Sequence, residues 1–114
     1  GKPLNIVNDQ WRMPTLAEDL TDICLLAIKH DAQGVYNASG KDMMSVAELV
    51  GRIADFWKLD KSILTAISSE SLNQAAKRPK KTGFILDKSM TDLNYNPHSF
   101  EEGLAILDRQ LKGN

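Results

Sequence analysis

Three helix-start signatures constrain this chain more than any other feature. Thr15-x-x-Glu18, Ser45-x-x-Glu48 and Ser99-x-x-Glu102 each place a hydroxyl three residues before a glutamate. In such a capping box the hydroxyl accepts from the amide three residues on, and the glutamate reaches back to the first amide. An apolar stripe at helical spacing follows each box. After Thr15 come Leu16, Leu20, Ile23 and Ala27; after Ser45 come Val46, Leu49, Val50, Ile53, Ala54 and Trp57; after Ser99 come Phe100, Leu104, Leu107 and Leu111. The pattern predicts three amphipathic helices. The first runs to about His30 with Gly34 beyond it as a stop, and Gly113 ends the last.

Short β-prone stretches lie between these helices: Leu4–Val7, with Leu4 and Ile6 on one side, then Val35-Tyr36-Asn37-Ala38, then residues 63–67. Residues 69–76 read as a short helix and residues 82–86 as extended. Asp87 is placed to cap a short helix holding Met90 and Leu93, and Asn94-Tyr95-Asn96-Pro97 reads as a turn. The expected class is α/β and helix-rich, with short strands between amphipathic helices.

A length of 114 residues suits one small domain or one piece of a larger one. The net charge of −1 disfavours nucleic acid as a partner, because phosphate contacts demand a basic excess. No run of about 18 apolar residues is present, so no membrane partner is expected, and the N-terminal residues do not read as a signal peptide. The one cysteine, Cys24, sits in Ile23-Cys24-Leu25-Leu26 and reads as a small buried hydrophobe. A reducing, cytoplasmic compartment fits.

The absent chemistry is informative. Glycines at 1, 34, 40, 51, 83, 103 and 113 form no glycine loop for a dinucleotide. No Tyr-x-x-x-Lys pair occurs, since Gly40 follows Tyr36 and Ser99 follows Tyr95 at that spacing. His30 and His98 are isolated and read as surface residues at helix ends, and the acidic residues read as scattered over polar helix faces. Trp57, Met43 and Met44 read as packing. No catalytic residue, cofactor site or metal site is assigned.

Several segments, in order, carry a family resemblance. Asp9-Gln10-Trp11-Arg12-Met13-Pro14-Thr15 followed by Asp19-Leu20, then Val35-Tyr36-Asn37-Ala38-Ser39-Gly40, then Ala76-Lys77-Arg78-Pro79 with Leu86-Asp87, and finally Leu93-Asn94-Tyr95 resemble motifs of the dTDP-4-dehydrorhamnose reductases, which are extended short-chain dehydrogenases. Arg12 departs from the small residue usual there. The resemblance implies that residues 1–114 form the C-terminal, nucleotide-sugar-binding portion of a Rossmann-type parent. The N-terminal dinucleotide-binding domain, with NADPH or NADH, would lie outside this chain. Some strands of this portion would extend that domain's sheet. A face cut from its neighbour would expose apolar surface, so a homo-oligomer is expected, through exchanged or added strands from Leu4–Val7.

On composition alone Lys77-Arg78-Pro79-Lys80-Lys81 is a solvated basic loop. With the resemblance, Arg78 becomes the first substrate-binding candidate, because a planar guanidinium fork suits a diphosphate and Pro79 stiffens the loop. Arg12 is second: it precedes Asp19 by seven residues, as an arginine of related epimerases that contacts the nucleotide precedes its own aspartate. Trp11 beside it can stack on a base or sugar. Gln10 is third, as a partner for a sugar hydroxyl. Two other functions stay open. One is a non-catalytic regulatory subunit on the same fold, as in the β subunit of methionine adenosyltransferase; the other is a free-standing helical interaction domain.

Overall fold

A computed structural model describes residues 2–72 and 75–113. The order of elements is β1 (Leu4–Val7), β2 (Trp11–Arg12), α1 (Ala17–Lys29), β3 (Met44–Ser45), α2 (Val46–Phe56), β4 (Leu64–Ile67), α3 (Asp87–Leu93) and α4 (Phe100–Leu111), with 3-10 turns at Lys61–Ile63 and Ser69–Leu72. The class is mixed α/β, as expected. The chain divides into two units, one of residues 1–12 and 43–82, the other of residues 13–42 and 83–114.

In the first unit β1 and β4 pair in parallel, Leu4 opposite Leu64 and Val7 opposite Ile67. A bond from the Asn8 amide to the Ile67 carbonyl (2.9 Å) extends the ladder. Helix α2 packs against β1. Its start was legible: the Ser45 hydroxyl accepts from the Glu48 amide at 3.1 Å, while the Glu48 carboxylate faces Arg52 at 3.6 Å. Met44 and Ala54 are buried, and Trp57 packs edge-on against Phe56 with ring centroids 5.0 Å apart. Met43, expected to pack, is exposed. The helix expected over residues 69–76 is a 3-10 turn at Ser69–Leu72; residues 73–74 lie outside the described residues.

The second unit holds a core of Ile23, Leu86, Leu93 and Tyr95, with Met13, Leu26 and Tyr36 packed against it. Burying a side chain such as Leu93 contributes about 1.5–3 kcal/mol. Helix α4 starts with a complete capping box, Ser99 and Glu102 bonded both ways at 3.2 and 2.7 Å. Gly113 follows its end at φ +80°.

Several expectations fail in this unit. Thr15 does not cap α1: its hydroxyl donates to the Met13 carbonyl (3.1 Å) and accepts from the Gly40 amide (3.0 Å), and the helix starts at Ala17 behind an extended Leu16. Asp87 is inside α3 rather than capping it, and Leu86 holds the cap position. Cys24 is exposed, because it lies off the face that buries Ile23.

Residues 35–38 form no strand. The carbonyls of Val35, Asn37 and Ser39 take side-chain donors instead: Lys88 Nζ at 2.9 Å, Ser89 Oγ at 2.5 Å and Tyr95 OH at 2.8 Å. This alternation satisfies the backbone of an extended segment without a neighbouring strand. The acidic residues are not all on polar faces, and His98 is not isolated. Asp19 is 2% exposed, and His98 meets both its oxygens, through its backbone amide at 2.8 Å and its Nδ1 at 2.6 Å. A buried carboxylate needs such partners.

Gly40 explains one glycine. The Pro14 carbonyl oxygen stands where its Cβ would be, so only glycine fits this close approach.

Candidate functional site

Gln10, Arg12 and Arg78 come together in the first unit. The segment from Gln10 to Arg12 runs between two partners. On one side it pairs antiparallel with β3, Trp11 opposite Ser45 and Arg12 opposite Met44, and the Val46 amide donates to the Gln10 carbonyl at 2.9 Å. On the other side it holds the end of the basic loop: the Trp11 amide donates to the Lys80 carbonyl at 2.6 Å, and the Thr82 amide to the Trp11 carbonyl at 3.1 Å. Pro79 has no amide to compete for these positions.

A cleft of about 390 Å³ lies against this junction, lined among others by Gln10, Ser69, Glu70, Lys77, Arg78 and Lys80. Gln10 is 9% exposed, so its amide group is presented from a fixed, buried position. Arg78 is exposed on the cleft wall. Among the described residues no hydrogen bond or ion pair engages its guanidinium. Three cations against one carboxylate, Glu70, give the cleft an anion-seeking character.

Arg12 is built in differently. Its guanidinium donates to the carbonyls of Trp11 (2.7 Å), Lys80 (3.3 Å) and Pro79 (3.0 Å) and to Gln10 Oε1 (3.4 Å). One arginine thus clamps the loop that carries Arg78 and orients the Gln10 side chain. Sequence reading placed Arg12 at the site but gave no sign of these partners, which lie 67 and 68 residues away. Trp11, between Gln10 and Arg12, is 38% exposed.

Asp9 was also missed. Its carboxylate accepts from the Ser69 amide (2.9 Å) and the Ser69 hydroxyl (2.8 Å). Burial pushes its pKa up, but the two Ser69 bonds and the Lys80 charge outweigh that and hold it below the ordinary value.

In the second unit both tyrosines hold their protons more tightly than a free phenol does. Burial, then the charges of Asp19 and Asp22, push Tyr95 up to about 12. Tyr36 is raised by burial and by its 3.1 Å bond to Asp92. A catalytic tyrosine needs the opposite shift. Among the described residues no three His, Cys, Asp or Glu side chains group to hold a metal ion, and no helix is long and apolar enough to cross a membrane.

Three solved structures share this architecture. A dTDP-4-dehydrorhamnose reductase from Bacillus anthracis in complex with NADP is 24% identical, with a TM-score of 0.84 over 96% of this chain and 39% of its own. An orthologue from Clostridium acetobutylicum is 23% identical, with a TM-score of 0.83 over 97% of this chain and 39% of its own. A UDP-glucuronic acid 4-epimerase from Bacillus cereus, in complex with UDP-glucuronic acid and NAD, is 23% identical, with a TM-score of 0.68 over 91% of this chain and 33% of its own. At these identities the likeness establishes a shared fold alone, and this chain spans about two fifths or less of each relative. No curated protein matches it in sequence. The free-standing helical reading is not favoured, because the family model "RmlD substrate binding domain" matches residues 1–112, and the chain belongs to that family.

Proposed function

We propose that this chain supplies the nucleotide-sugar contacts of an NAD(P)H-dependent reductase acting on a 4-keto nucleotide sugar such as dTDP-4-dehydrorhamnose. The observation that carries the reading is the convergence of Gln10 and Arg78 on one basic cleft whose loop Arg12 clamps. Arg78 takes the diphosphate, with Lys77 and Lys80 adding charge. Gln10 meets a sugar hydroxyl, and Arg12 keeps both in place. Membership of a substrate-binding family supports this, and so does the nucleotide sugar held by one structural relative.

The hydride and the proton come from a dinucleotide-binding part of the parent, in a reducing, cytoplasmic setting. The glycine pattern here offers no cradle for the cofactor. Self-association belongs to the same reading, and a monomer by light scattering at high concentration would contradict it.

Calorimetric titration tests the assignment. The chain should bind dTDP and not NADPH, and should oxidise no NAD(P)H with a dTDP-4-keto-6-deoxy sugar. Binding of NADPH in preference to dTDP would overturn it.

A further inference from the structure

Asp9 adjoins Gln10 and Arg12 but belongs to none of the roles given above. Both of its carboxylate oxygens are occupied by Ser69, which opens the turn Ser69–Leu72. Ser69 and Glu70 line the cleft, as do Arg78 and Lys80. Arg12 holds the second of these stretches through the Pro79 and Lys80 carbonyls. The two residues that flank Gln10-Trp11 therefore brace the two pieces of chain that line the cleft. Asp9 is itself anchored, since the preceding residue, Asn8, donates to Ile67 at the end of the β1–β4 ladder.

We infer that Asp9 is a positioning residue for the cleft: by fixing Ser69 through both carboxylate oxygens, it holds the Ser69–Leu72 turn in the geometry that binds an anion at Arg78. The inference rests on the diphosphate reading above. Its sign is distinctive. Asp9 carries negative charge next to a basic cleft, so Coulomb repulsion alone would make its neutralisation tighten the binding of an anion. A brace makes the same change weaken it. The depressed Asp9 pKa agrees with a carboxylate held ionised by its Ser69 bonds.

The test uses Asp9→Asn, Asp9→Ala and Ser69→Ala in the full chain, with two readouts. Calorimetry with dTDP, and separately with inorganic diphosphate, should show Asp9→Ala weakened roughly tenfold, the scale of one lost charge-assisted hydrogen bond. Asp9→Asn, which keeps a carbonyl acceptor, should lose less, and Ser69→Ala should follow the same direction. Amide exchange by NMR should rise at residues 69–72 while the β1–β4 ladder stays protected. Unchanged or tighter anion binding in folded Asp9→Asn overturns the inference, and so does unchanged exchange at residues 69–72. Failure of the unmutated chain to bind dTDP sinks the diphosphate reading instead, and the exchange measurement still decides whether Asp9 braces the turn. If Asp9→Ala does not fold, Asp9→Asn and Ser69→Ala carry the decision.

Discussion

The two units spend their polar groups in different ways. In the second unit the hydrogen bonds of Asp19, Ser39, Ser89 and Tyr95 point inward, closing a small core around Leu93. In the first unit Asp9 and Arg12 turn their bonds toward a loop and a turn, and leave Arg78 open to solvent. Under the proposed function, the outward-turned groups of the first unit are the ones that meet the ligand. Binding residues commonly sit on loops held by a rigid scaffold, and here the scaffold includes side chains as well as strands.

The largest expected effect lies in the second unit. Leu93 is 1% exposed, and Leu93→Ala should cost about 2–5 kcal/mol through lost burial and a cavity. Chemical denaturation checks this. A loss below about 1 kcal/mol would show that the core is not centred on Leu93.

Gly40→Ala comes next. The added methyl group meets the Pro14 carbonyl, a backbone atom that cannot swing aside. A cost of about 1–3 kcal/mol is expected, read from the same denaturation curves. A neutral substitution would mean that the Pro14 and Gly40 segments separate freely.

Acidification should produce a smaller effect, present in both units. Glu102 is held below its ordinary pKa by the Ser99 amide and hydroxyl, and Asp9 is depressed by Ser69 despite burial. A depressed carboxylate contributes stability above its unfolded pKa and loses it as pH falls through the folded value. Protection from amide exchange should therefore fall as pH drops below about 4, near residues 99–102 in one unit and 69–72 in the other. Glu102→Gln should flatten the first response only. A profile that does not differ between the variant and the parent chain would contradict the assignment.

What was legible in the sequence was local. Ser45 and Ser99 cap their helices because each bond spans three residues and no distant group offers a better partner. Thr15 carries the same pattern and fails, since the Gly40 amide, 25 residues away, takes its hydroxyl. The strand-like residues 35–38 were misjudged for a similar reason: donors more than 50 residues away satisfy their carbonyls. Asp19 and His98 are 79 apart in sequence, and neither residue alone signals the pair. At the cleft, resemblance brought Gln10, Arg12 and Arg78 into view together. Only the fold separates Arg12, which holds the loop, from Arg78, which is exposed on the cleft wall.

The division of roles between these two arginines is the central claim, and one titration tests it directly. Arg78→Ala and Arg78→Lys are titrated with dTDP, and their unfolding curves are recorded alongside. The account predicts a roughly tenfold to hundredfold loss of affinity for Arg78→Ala, from about 1.5–3 kcal/mol of charge-assisted bonding. Arg78→Lys should recover only part, because an ammonium lacks the planar fork. Unfolding should be unchanged in both, as expected for an exposed side chain with no ion pair or hydrogen bond among the described residues. An unchanged dTDP affinity in Arg78→Ala would contradict the diphosphate assignment.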